Sequence, residues 1–240
     1  SPLVRFEFTR DWKSDCANVI VKAMFPLDVP GAVARSEIPC GSVERPADGA
    51  EVPAQTWLNL DRPDGAYGVA LLNDGRYGHS VKEATIGLSL LRDPPAGPDP
   101  RPEDAGEGNH VATYALYPHA GDWRKAQVLR RAWELNAPPM TRRIAGPQAG
   151  AWPLQGGFAT VEPANVVLGA FKRALNGDGI VLRLVETAGQ ATTARVRTPA
   201  AGRPYRANLL EDAGEALSAG ADGTFAVELA PFGIETVLIK

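Results

Sequence analysis

Apolar and polar residues alternate with a period of two in Leu3-Val4-Arg5-Phe6-Glu7-Phe8-Thr9-Arg10. That spacing puts successive side chains on opposite faces of an extended strand, one face for a core and one for water. Asn18 to Phe25 repeats the signal, and Pro26, which lacks an N–H to donate, limits its extension. Further runs lie at Arg35 to Cys40, Gln55 to Leu60, Ala66 to Asn73, Ala84 to Leu91 and His110 to Tyr117, each bounded by Gly, Pro, Asp or Asn. Strands of this density build antiparallel sheets rather than a βαβ layer, so the chain reads as all-β.

Two segments break the pattern. Arg92 to Gly108 holds Pro94, Pro95, Pro98, Pro100 and Pro102 and cannot pair as a central strand, so a loop is expected. In Asp122 to Asn136 the apolar Trp123, Val128, Leu129, Ala132, Trp133 and Leu135 recur at helical spacing, predicting one short helix closed near Asn136 and Pro138-Pro139.

Met140 to Gly157, rich in Gly, Pro, Gln and Arg, has little periodicity and reads as a linker or domain edge. Shorter strands follow at Phe158 to Val161, Val166 to Arg173, Ile180 to Glu186, Thr192 to Arg197, Ala207 to Leu210, Thr224 to Leu229 and Ile234 to Ile239. Asn176-Gly177-Asp178-Gly179 is a turn between two of them. The expected organisation is a β-sandwich domain over 1–140, a linker over 141–157 and a small Ig-like β-sandwich over 158–240.

At 240 residues, 44% hydrophobic and 22% charged, the chain has the composition of an ordinary globular protein. A net charge of −3 gives no clustered basic surface for phosphates, so nucleic acid is not an expected partner. No apolar stretch approaches the roughly 20 residues of a spanning helix, so no membrane is expected either. Cys16 and Cys40 are too few for a disulfide framework or a cysteine zinc site, and a reduced, cytoplasmic location is the simplest expectation. One bridge between them stays open, because sequence does not fix whether their Cβ atoms face each other. The chain begins at Ser1-Pro2 without methionine and enters strand-like sequence at once, which points to a cut inside a longer polypeptide.

Zinc hydrolases need clustered ligands around an open coordination position, and only His79, His110 and His119 are present, none in a His-x-Asp or His-Glu-x-x-His arrangement. His119 and Asp122 flank Gly121 at a strand-to-helix corner, where turn and cap roles are favoured. No Gly-x-Ser-x-Gly, P-loop or Rossmann motif appears, so acyl, phosphoryl and hydride transfer lack support. Asp74, Asp104, Glu107 and Asp122 fall in loops where solvated carboxylates are common. Asn73-Asp74-Gly75-Arg76-Tyr77-Gly78-His79 gathers amide, carboxylate, guanidinium, phenol and imidazole in seven residues, which suits sugar hydroxyls. The same residues would equally cap backbone groups in a glycine-rich turn.

Five runs in order resemble glycoside hydrolase family 38 α-mannosidases of the bacterial, fungal vacuolar and animal cytosolic branch. They are Lys22 to Val29, Glu37 to Pro46, Tyr67 to His79, Leu88 to Arg92 with Pro94, and Tyr114 to Trp123. The likeness continues through Asn165 to Leu168 and Gly177 to Leu184 to Pro231-Phe232-Gly233-Ile234-Glu235-Thr236.

This resemblance implies the later part of a large β-sandwich followed by a small terminal one. The zinc-binding α/β barrel and a helical bundle would lie upstream as partners within the same polypeptide. It implies that the parent is a retaining, zinc-dependent α-mannosidase acting on mannose-containing glycans. The isolated chain would hold no catalytic residue, metal or other cofactor, and would be inactive. It also makes Asn73, Asp74, Arg76, Tyr77 and His79 candidates for the rim of the substrate cavity. An independent carbohydrate-binding module using Tyr77, Trp57, Trp123 and Trp152 as aromatic platforms is the alternative. A third reading is a homo-oligomer formed through unpaired sheet edges.

Overall fold

The computed structural model describes residues 2–13, 19–93, 107–146, 150 and 155–240. Cys16, Trp152, Asp104 and most of the proline-rich stretch fall outside them. The chain divides into two compact units, Ser1–Pro138 and Pro139–Lys240. Both are built from antiparallel strands, and the only helix among the described residues is short.

In the first unit, one sheet has six strands: β1 (Val4–Trp12), β10 (Gly108–Ala120), β7 (Tyr67–Asn73), β6 (Trp57–Asp61), β3 (Val33–Ile38) and β4 (Gly41–Glu44), in that spatial order. The other has four: β2 (Val19–Pro26), β9 (Thr85–Asp93), β8 (Gly78–Lys82) and β5 (Asp48–Pro53). Inward residues of both sheets, among them Leu58, Leu60, Leu71, Ile86 and Leu88, form one core. Each such fully buried side chain stabilises the unit by about 2 kcal/mol relative to exposure. Phe6 packs 5.4 Å from both Phe25 and Tyr114, joining the two sheets through rings.

The outer face of the six-stranded sheet is covered as well at its centre, over β6, β7 and β10. Trp57, Ala70, Leu72 and Ala115 pack there against Trp123, Val128 and Ala132, the last two on α1 (Val128–Asn136). This double coverage explains why Tyr67 to Asn73 reads as a nearly continuous apolar run rather than an alternating one. At Gly68 a side chain has no room: a Cβ would lie 2.5 Å from Asp61 Oδ1 and 2.7 Å from both His119 Cε1 and the Leu60 carbonyl.

The helix starts six residues later than its apolar spacing predicts. Gln127 adopts φ 52°, ψ 46°, a left-handed conformation that no α-helix continues through, and a chain of turns precedes it. The Asp122 carboxylate accepts from Lys125 N at 2.9 Å and closes that turn. The helix ends against Ala137 and Pro138, near the predicted stop.

The second unit pairs a three-stranded sheet with a five-stranded one. The first is β11 (Thr160–Glu162), β14 (Thr192–Arg197) and β17 (Thr224–Leu229). The second is β12 (Val166–Arg173), β13 (Ile180–Glu186), β18 (Ile234–Ile239), β15 (Pro204–Ala207) and β16 (Ala213–Ala216). Leu182, Leu184, Val237 and Ile239 from one face meet Ala194, Val196, Phe225 and Val227 from the other. The turn at Asn176 to Gly179 joins β12 to β13 with Gly177 and Gly179 at φ 80° and 107°, values that glycine adopts without strain.

Candidate ligand-binding site

The loop from Asn73 to His79 leaves β7 and enters β8, and its polar side chains divide by role. Asn73 is fully buried. Its amide nitrogen donates to the Gln55 carbonyl at 2.8 Å, and its oxygen accepts from Gly75 N and Arg76 N at 2.9 and 2.8 Å. Asp74 accepts from Thr113 N at 2.8 Å, and Arg76 donates to the Val111 carbonyl at 3.0 Å, so both fasten the loop to β10.

His79 faces the core. Its Nδ1 lies 3.2 Å from the Tyr77 carbonyl, which can only accept, so Nδ1 carries the proton and Nε2 is left without a protein partner. Burial lowers its pKa to about 4, outweighing the Tyr77 carbonyl and the nearby Glu51 carboxylate, and the ring is neutral at pH 7. Tyr77, in contrast, is 58% exposed.

Tyr77 borders a cleft of about 560 Å³ where four connections meet. Glu37 and Ile38 end β3, Arg45 follows β4, Gln55 and Thr56 join β5 to β6, and Tyr77 precedes β8. Backbone hydrogen bonds brace these walls: Ala54 N to Tyr77 O at 3.0 Å, Gln55 N to Glu37 O at 3.1 Å, and Asn73 N to Thr56 O at 2.9 Å. Asn73 and His79 thus hold from behind the segments that carry Gln55 and Tyr77.

Glu37 is only 7% exposed. One of its oxygens accepts from Thr56 N at 2.6 Å and from the Thr56 hydroxyl at 2.5 Å. Burial raises its pKa above the usual carboxylate value despite these bonds, because loss of hydration disfavours the charged form. Arg45 has a buried Nε without a partner, and no ion pair joins it to Glu37. Sequence pattern did not single out these two residues. Ser36 and Glu37 are adjacent and both buried, which strand alternation does not foretell.

The other features are structural. His119 engages Asn59 Oδ1 at 2.8 Å and the Gly121 carbonyl at 3.1 Å rather than Asp122. Trp57 and Trp123 stack in the interior with centroids 5.5 Å apart, which removes them as exposed aromatic platforms. Cys40 is an exposed free thiol. Among the described residues no group of three or more His, Cys, Asp or Glu is placed to hold a metal ion, and this donor set does not fit a zinc site.

The profile described as "Glycosyl hydrolases family 38 C-terminal domain" matches residues 1–101, and that described as "Glycosyl hydrolases family 38 C-terminal beta sandwich domain" matches 165–237. The chain belongs to glycosyl hydrolase family 38. It is similar to alpha-mannosidase 2C1 of Homo sapiens, with 38% identity over 200 residues, 78% of this chain and 18% of that protein. Alpha-mannosidase G of Dictyostelium discoideum is 29% identical over 249 residues, 98% of this chain and 22% of that protein. The chain therefore spans about a fifth of the length of these relatives. A family 38 protein of known structure from Enterococcus faecalis has the same fold, with a TM-score of 0.82 and 19% identity over 100% of this chain and 28% of that one. No helix is long and apolar enough to cross a membrane among the described residues.

Proposed function

We propose that this chain is the non-catalytic C-terminal region of a retaining α-mannosidase that removes terminal α-D-mannose residues from glycans. The two family 38 profiles, which take in residues 1–101 and 165–237, carry this reading. The β-sandwich of residues 1–140 supports a catalytic barrel and helical bundle encoded upstream, and residues 158–240 form the small terminal sandwich. The barrel supplies the zinc and the nucleophile. Tyr77 faces the substrate rim, while Asn73, Asp74, Arg76 and His79 fix the loop that presents it. The exposed free thiol of Cys40 favours a cytoplasmic enzyme.

The experiment is an assay of the pure 240-residue chain on an aryl α-mannoside, with and without zinc, beside the same chain joined to its upstream region. The expected result is no product from the chain alone and zinc-dependent turnover from the joined protein. Zinc-dependent turnover by the chain alone overturns the reading.

A further inference from the structure

The cleft bordered by Tyr77 has a chemistry that selects its ligand. Its volume of about 560 Å³ lies in the range of small-molecule sites, which span roughly 300–1,000 Å³. Ile38, Pro39, Pro53 and Ala54 give it apolar walls, and the half-exposed Tyr77 ring adds an aromatic edge. Glu37 and Arg45 put one carboxyl and one guanidinium on the same lining without pairing to each other. Gln55 adds an amide that both donates and accepts.

A bound carboxylate or phosphate would gain Arg45 but meet Glu37, and an ammonium would gain Glu37 but meet Arg45. A hydroxyl group suffers neither penalty, since it donates to the carboxyl and accepts from the guanidinium. A ring bearing several hydroxyls and one apolar C–H face matches the whole lining. The site is also set before any ligand arrives. Glu37 is aimed by Thr56 N and Oγ1, and the Gln55 and Tyr77 backbones are held by Glu37 O and Ala54 N. Such preorganisation reduces the ordering that binding would otherwise require.

We propose that this cleft binds one pyranose unit of a neutral glycan. Tyr77 lies against the C–H face of the ring, Arg45 and Gln55 donate to its hydroxyls, and Glu37 accepts from one. The choice of mannose as the first sugar to test rests on the reading of the chain as an α-mannosidase region; the site itself does not.

The test is a titration of the 240-residue chain, followed by backbone amide shifts in NMR, with methyl α-mannoside, methyl α-glucoside and inorganic phosphate. Saturable millimolar binding of a pyranoside is expected, with the shifts centred on Gln55, Thr56 and Tyr77. Tyr77→Ala is expected to weaken it about tenfold, as is Arg45→Met, since each removes one stacking or hydrogen-bonding partner. Tyr77 is more than half exposed, so Tyr77→Ala keeps the fold, and unchanged amide shifts far from the cleft verify this. The proposal is overturned if no pyranoside saturates the chain, if Tyr77→Ala binds as tightly as the parent, or if phosphate displaces the sugar. Those outcomes leave the mannosidase reading standing, and turnover of an aryl mannoside by the chain alone would end that reading while leaving the cleft intact.

Discussion

The two units differ in how completely they match their buried polar groups. Among the described residues, all seven buried side-chain nitrogen or oxygen atoms without a protein partner lie in Ser1–Pro138: those of Trp12, Ser36, Arg45, Trp57, Asn59, Asp61 and His79. Both units bury carboxyls, but where Glu37 of the first accepts from Thr56, Glu186 of Pro139–Lys240 is met by five donors. Asn165 Nδ2 and Ala188 N reach one oxygen at 2.8 Å, and Gly189, Gln190 and Phe232 N reach the other at 2.7–3.0 Å. Burial alone would raise the Glu186 pKa, yet hydrogen bonds from Phe232 N, Asn165, Ala188 N and Gln190 N bring it below its ordinary value. A buried charge is thus tolerated where donors surround it, whereas a neutral ring or amide left unmatched reduces stability. The difference marks the second unit as the one whose buried polar groups are matched within it and the first as the one that leaves some of them unmatched.

The sharpest way to break this comparison is to remove the carboxylate. Glu186→Ala strands four backbone N–H groups and leaves the Asn165 amide only its bond to the Thr192 hydroxyl, and is expected to destabilise the second unit by about 4 kcal/mol. Hydrogen exchange resolved by peptide would show lost protection in β12, β13 and the loops around Gly189 and Phe232. A loss below about 1 kcal/mol would show that matching this carboxylate does little for the unit.

Asn73→Ala is the matching change in the first unit. It deletes three hydrogen bonds to Gln55 O, Gly75 N and Arg76 N, and is expected to cost about 3 kcal/mol. Urea denaturation measures the total, and faster amide exchange confined to residues 73–79 and 54–57 identifies the cause.

A smaller effect comes from pH. The pKa of His79 is about 4 when folded against 6.5 for the free side chain, so the unfolded chain binds the proton more readily. The stability contributed by the neutral ring is present above pH 6.5 and is lost as pH falls from there toward 4. Between pH 8 and pH 5 the first unit should lose about 2 kcal/mol through this group. His119, its pKa also lowered by burial, acts in the same direction, and the raised carboxyls of Glu37 and Asp61 act against it. Glu186 has its pKa lowered, so its contribution persists until pH drops below the 4.5 of a free glutamate. Exchange at mild acid should therefore loosen β8 while β13 stays protected, and equal loosening of both would refute the contrast.

Much of the fold was legible because periodicity reports which faces are buried. Val166–Arg173, Ile180–Glu186, Thr192–Arg197, Thr224–Leu229 and Ile234–Ile239 have the bounds their patterns predict. Four strands escaped notice: β4 is only four residues long, and β8 buries His79, Ser80 and Val81 in succession, so neither shows alternation. β5, with five of six residues exposed, and β16, with three of four, have nothing for alternation to reveal. β15 ends where its pattern led us to place a strand start, because Pro204 and Tyr205 pair with Ile239 and Leu238. The polar loop was legible as special, but its division into four anchors and one exposed ring was not. That division depends on Gln55, Thr113 and Val111, partners between 18 and 39 residues away.

The centre of the six-stranded sheet, covered on both of its sides, has a consequence for how such a protein can change over generations. β6 and β7 offer almost no position where a new side chain meets solvent, so drift there is held to swaps of similar shape, and Gly68 tolerates none. Novelty must enter through the turns at the strand ends. A mutagenesis library confined to residues 45, 55 and 74–77 should return mostly folded proteins with altered preferences, and one aimed at β7 mostly insoluble ones.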